Sequence, residues 1–338
     1  MADDYESMLL AALARTAAAS GATDGAGVGL GGAPAPPGPS PVGALLEAAR
    51  ASRLPVPAVP PFAAPFRAAA GMLDAVLAGV DPTRLARPSP VLDWTLGDLV
   101  THLAAGYAQL AGALGAPTDL PVAAEADLES VTRAVLAWTA ADRTLAARRA
   151  LWWEAVTTLA AALRAPSVAP DQVLRVAGHT MPVAGQVVTR AFETWIHARD
   201  IALGTGMRLP DPAGEVIGPM ADLAARTLAG RAAREPARDQ QATVTLTLTG
   251  PGGGAWLVPV GASGPAPSGS AGSVRGAVDT EIPATAEIRA TAEITVDTVA
   301  FCLLVSDRMA RSQLDVVIEG EVSVAEDLLT LAPTLSGP

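Results

Sequence analysis

The sequence predicts a mixed α and α/β fold: an N-terminal four-helix bundle followed by a smaller α+β domain. Three observations predict it. Between about residues 61 and 205, four segments repeat apolar residues at helical spacing, and after residue 240 the pattern shortens to strict alternation. Ahead of both, SGATDGAGVGLGGAPAPPGPSP at 20–41 is Gly, Ala, Pro and Ser with little to bury. A chain of 338 residues is long enough for two domains, each with its own core. Composition places a flexible extension with a short helix at 1–60, the bundle at 61–210 and the second domain at 240–334.

The elements follow in order. A short helix is expected at 4–16, then the linker, then a helix at 42–53 ended by the proline cluster PVPAVPPFAAP. The bundle comprises FRAAAGMLDAVLAGV, TLGDLVTHLAAGYAQLAGAL, LESVTRAVLAWTAADRTLAARRALWWEAVTTLAAALRA and VAGQVVTRAFETWIHARDIAL. Thr95 and Asp98 stand at capping-box spacing at the start of the second. TVTLTLT, PGGG and AWLVPV then read as a hairpin with a Gly-rich turn. ATAEIRATAEITV repeats ATAEI six residues apart, an even period that keeps like side chains on one strand face. GASGPAPSGSAGS at 261–273 is a flexible insertion; VDTVAFCLLVSDRM reads as helix, LDVVIEG as strand and VAEDLLTLA as a closing helix.

Composition excludes several classes. All 23 basic residues are Arg, the bias of a GC-rich genome such as an actinobacterium's, and the net charge is -11. That charge repels phosphates, so neither nucleic acid nor an anionic membrane surface is an expected partner. The start, MADDYESMLLAALART, is acidic where an export signal is basic, which points to the cytoplasm. Residues 99–116 carry no charge, yet His102, Gln109 and several Gly suit a bundle helix better than a membrane span. The single cysteine, Cys302, lies in the apolar run VAFCLLV and reads as a small buried hydrophobe.

Chemistry-bearing residues concentrate in RAFETWIHARDIA at 190–202. Glu193 and His197 are four apart, on one helix face, a spacing that suits two ligands of one metal and equally an ordinary ion pair. His102, from another helix, is either a third ligand or a hydrogen-bonded core histidine. Asp98, four residues before it, is either the helix cap or a hydrogen-bond partner that orients the imidazole. His179, in RVAGHTMPV, reads as a loop histidine, although its place before the last bundle helix could bring it near the others. Trp94 and Trp195 read as packing anchors.

DWTLGDLVTHL, followed some ninety residues later by TRAFETWIHARDIA, resembles the paired signature of the mycothiol-dependent maleylpyruvate isomerase family. The likeness spans about residues 61–334, because AFCLLVSDRM and DVVIEGEVSVAEDLL are similar to that family's sterol-carrier-protein-like C-terminal domain. It implies a DinB-like bundle in which His102, Glu193 and His197 bind a divalent metal, usually zinc. Two imidazoles and a carboxylate also suit Fe, Ni or Mn, and a fourth position left open marks a catalytic site. Asp200 matches the aspartate that follows the family's second histidine and would orient a ligand or cap a helix. Arg308 falls where the family has a Gly-Arg pair, a candidate catalytic and cofactor-binding contact to acidic groups of thiol or substrate, with Asp307 in place of the glycine.

The implied chemistry is that of a borrowed thiol, mycothiol, activated by the metal and attacking a small electrophilic substrate as an isomerase or S-transferase. A second reading is regulatory. ALLEAARASRLP and the linker resemble the tail of anti-sigma-factor modules, without the Cys and His of their zinc motif, and the helix at 4–16 would dock a protein partner. A third is a bundle that binds metal without chemistry.

Overall fold

The structure is a computed structural model, and it describes residues 54–235, 242–261 and 290–335. The chain divides into two compact units, Met1–Leu54 and Pro55–Pro338. Everything below concerns the second. The expected helices at 4–16 and 42–53, the linker, the insertion and the first ATAEI unit lie outside the described residues.

The bundle is built from α1 (Ala64–Gly79), α2 (Leu96–Ala113), α3 (Leu128–Trp138), α4 (Leu145–Leu163) and α5 (Val183–Thr205). Helix α2 packs on α4 and α5, and α1 on α5. Every residue of α2 from Leu96 to Ala111 is buried, which is why its sequence is apolar on all sides rather than striped. The capping box at its start is formed as its spacing predicts: Thr95 accepts from the Asp98 N–H, and Asp98 accepts from the Thr95 N–H.

Two departures from the sequence reading have local causes. The third segment, read as one helix, is two, because Thr144 caps a new helix by accepting from the Ala147 N–H while Asp142 accepts from the Thr144 N–H. Such side chains offer the backbone partners that compete with helix continuation. A further helix, α6 (Gly214–Ala232), fills a stretch that the pattern left unassigned. Its Ala and Gly give little contrast between faces, and Pro219 lies inside it; it forms because its buried side, Ile217 to Ala232, packs against the sheet and α5.

Between α4 and α5 runs a hairpin of β1 (Val173–Val176) and β2 (His179–Pro182), closed by Ala177 and Gly178, both at positive φ as a type I′ turn requires. The second layer holds β3 (Ala242–Thr249), β4 (Gly254–Val260), β5 (Ala292–Asp297) and β6 (Val316–Gly320), ordered β4-β3-β5-β6. The β3–β4 hairpin is antiparallel, β3 and β5 run parallel with Val244 opposite Ala292, and β5–β6 is antiparallel. Alternation puts Val244, Leu246, Leu248, Val258, Ile294 and Val296 on one buried face, covered by α6, α7 (Thr298–Val305) and α8 (Val322–Leu331). The fold class is therefore the predicted one, a helical bundle followed by a mixed α/β region with a four-stranded sheet.

Candidate metal centre

Helices α2 and α5 face each other and bring the two motif histidines together: the His102 and His197 rings lie 5.2 Å apart, edge to face. Both are largely buried. Trp94 stacks on His102 at 5.1 Å, and Trp195 is buried against Phe192.

The hydrogen-bond network assigns a tautomer to each ring. Thr132 of α3 donates its hydroxyl to the Leu128 carbonyl at 2.7 Å, so its oxygen lies free to accept from His102 Nδ1 at 2.9 Å. His197 Nδ1 donates to Asp200 Oδ2 at 3.1 Å, since a carboxylate only accepts. With its proton on Nδ1, His102 keeps the Nε2 lone pair. Burial pushes the His102 imidazole well below the usual histidine value, and the charges of His197 and Arg190 push the same way. His102 is therefore neutral, the state in which imidazole ligates.

Asp200 is held from the far side. Arg308 donates from Nε to Oδ1 at 2.9 Å and from Nη2 to Oδ2 at 3.0 Å, a fork joining the α/β layer to α5, while its Nη1 donates to the Ser306 carbonyl. The turn that delivers Arg308 has Asp307 at φ 55, a left-handed conformation suited to glycine and tolerated by aspartate. The guanidinium expected to meet thiol or substrate thus meets Asp200. Burial pushes the Asp200 carboxyl up, but His197 and Arg308 outweigh it and hold it below the usual carboxylate range.

Asp98 stands apart from His102. Its Oδ2 accepts from the Thr95 N–H and hydroxyl, and its Oδ1 accepts from Arg148 at 2.9 Å. The partner of the His102 ring is Thr132, thirty residues away, which no spacing in the sequence indicates. Burial raises the Asp98 carboxyl, and the Thr95 and Arg148 hydrogen bonds more than reverse this. A lowered folded value means a contribution complete above the unfolded value of about 3.9 and lost as pH falls through the folded value. Asp98→Ala is expected to cost about 2–3 kcal/mol near neutrality. Thermal melts should show the gap to wild type narrowing below about pH 4, and a gap constant down to acid unfolding would contradict the assignment.

Glu193 lies one turn before His197, and its Oε1 accepts from Arg190 Nη2 at 2.9 Å. Arg190 was not singled out by the sequence reading, although its place three residues before Glu193 is an ion-pair spacing. Among the described residues no group of three or more His, Cys, Asp or Glu side chains is arranged to hold a metal ion. The two facing imidazoles are donors of the kind a divalent ion takes, and the Glu193 carboxylate is engaged by Arg190. His179 is exposed on β2, and Cys302 is fully buried, its thiol pushed up first by that burial and then by the charge of Asp297. Among the described residues no helix is long and apolar enough to cross a membrane.

A histidine pair on facing bundle helices, anchored from an appended α/β layer, places the chain in the class of two-layer helical-bundle proteins with a candidate metal site between helices. Residues 66–202 match the family model described as the mycothiol maleylpyruvate isomerase N-terminal domain. An uncharacterised protein of Mycobacterium tuberculosis, matched in two strains, is 27% identical over 292 residues, covering 82% of this chain and 96% of its own length. Among solved structures, that of a mutant of the mycothiol-dependent maleylpyruvate isomerase aligns with a TM-score of 0.50 at 16% identity, over 75% of this chain and 91% of the other, a likeness of fold. The family match thus covers the helical bundle, and the solved isomerase structure shares the fold.

Proposed function

We propose that this chain is a divalent-metal-dependent enzyme that uses a low-molecular-weight thiol, mycothiol by family resemblance, against a small electrophilic substrate, as an isomerase or S-transferase. The observation that carries the reading is the imidazole pair, with both Nδ1 atoms engaged, the His102 Nε2 bare, and a carboxylate one turn before the second ring. His102, Glu193 and His197 would hold the metal, for which the donor set favours zinc. A metal held there would supply Lewis acidity that favours the thiolate form of a thiol near neutral pH.

The chain's own residues prepare that position. Thr132 fixes the His102 ring, Asp200 fixes the His197 ring, and Arg308 acts through Asp200 as a positioning residue. Trp94 lays apolar surface against the His102 ring. Cys302, buried in α7, is no substitute nucleophile, so the thiol comes from outside. In an isomerase the same thiol adds and leaves, with no net co-reactant; in a transferase the C–S bond is kept, and either a leaving group departs with its electron pair or, where the thiol adds, its proton ends on the adduct.

Metal content per chain tests this directly. Wild-type protein should carry near one divalent metal per chain, and Glu193→Ala and His102→Ala should lose it together with about 10²-fold or more of any thiol-dependent turnover. Absence of metal uptake by wild type, or full thiol-dependent turnover by metal-free variants, would overturn the proposal.

A further inference from the structure

We infer that Arg190 is the resident cation of this site: its guanidinium pairs with the Glu193 carboxylate and competes with a divalent ion for it, so that Arg190 sets the metal affinity. The inference rests on the metal-site reading above and adds a residue and a direction to it.

Four observations carry it. The Arg190 side chain is only 5% exposed, yet it lies on the helix face that carries Glu193 and His197. Its Nη2 donates to Glu193, while Nη1 is buried with no hydrogen-bond partner among the described residues. The head is seated against α2 at Gly106, where a β-carbon would stand 2.5 Å from Nη1. Its seat at Gly106 lies one helical turn from His102 on α2.

The physics sets the sign. A buried guanidinium is stabilised by a facing carboxylate, and removing that carboxylate leaves an unpaired buried charge. Glu193 can ligate an ion only by loosening its hold on Arg190, so ion binding carries that cost. The bare Nη1 is a donor already left without a partner, so the guanidinium is a weakly held occupant of its seat, able to yield. Gly106 shapes that seat, because any larger residue would crowd the head away from α2.

The test is zinc affinity of the full chain, measured by competition with a chromophoric chelator, with no turnover involved. Arg190→Met, which keeps the apolar stem and removes the charge, should bind zinc at least about tenfold more tightly than wild type. Arg190→Lys, which keeps the charge, should stay close to wild type. The gain should vanish when Glu193→Gln is added to Arg190→Met. If Arg190→Met fails to fold by circular dichroism, Gly106→Ala should tighten zinc by displacing the guanidinium. Unchanged or weaker zinc binding in the folded charge-free variant, or a gain that survives Glu193→Gln, overturns the inference. Zinc binding lost in His102→Ala with no gain on removing Arg190 overturns this inference alone; zinc binding indifferent to His102→Ala overturns the metal-site reading and this inference with it.

Discussion

Arg308→Ala is expected to destabilise the protein by about 3–5 kcal/mol and to weaken metal binding about 10- to 100-fold. Asp200 is 5% exposed and Arg308 16% exposed, and the pair is joined by two parallel hydrogen bonds. Removing the guanidinium leaves a buried carboxylate whose remaining side-chain partner is the His197 ring. That loss is larger than a surface ion pair would give, because water cannot replace the missing partner. The metal effect follows from geometry: a freed Asp200 no longer fixes the His197 ring, so Nε2 is presented less accurately. A double-mutant cycle with Asp200→Ala, read by chemical denaturation and by zinc affinity, checks both. Additive losses would show that the fork is incidental, and unchanged affinity in Arg308→Ala would remove its positioning role.

Trp152→Ala should cost about 3–5 kcal/mol, the effect of emptying a large site in a closed core. Trp152 is fully buried on α4, its ring 5.5 Å from that of Trp153, where α4 packs on α2. Because α2 carries His102, the cavity should also loosen the site. Trp152→Phe gives the contrast. The Trp152 indole N–H has at most the Tyr107 hydroxyl as a partner, so Trp152→Phe gives up little polar contact and leaves only a smaller cavity. Denaturation midpoints should place Trp152→Phe well nearer wild type than Trp152→Ala. Equal losses would mean that the indole N–H contact with Tyr107, and not the volume of the ring, carries the effect.

The candidate site was legible to the extent that its logic is local. Glu193 and His197 share a face because a helix repeats every 3.6 residues, and the Thr95–Asp98 box forms because cap geometry spans three residues. The ion pair of Arg190 with Glu193 was equally local and could have been read from its spacing. Thr132 could not, nor the pairing of Arg148 with Asp98 across fifty residues, nor that of Arg308 with Asp200 across 108. Each of these depends on which helix faces which.

By itself, then, the sequence determined most of the helices, the strands of the main sheet and the motif residues, because periodicity, caps and turns are properties of neighbours along the chain; α6, the β1–β2 hairpin and the break at Thr144 were not read from it. Tertiary structure alone decided that His102 meets His197, that Thr132 and Asp200 set their tautomers, and that Arg308 is spent on Asp200. The physical reason is that buried polar groups must find partners wherever packing puts them, and packing joins residues by distance in space, with no trace in spacing along the chain.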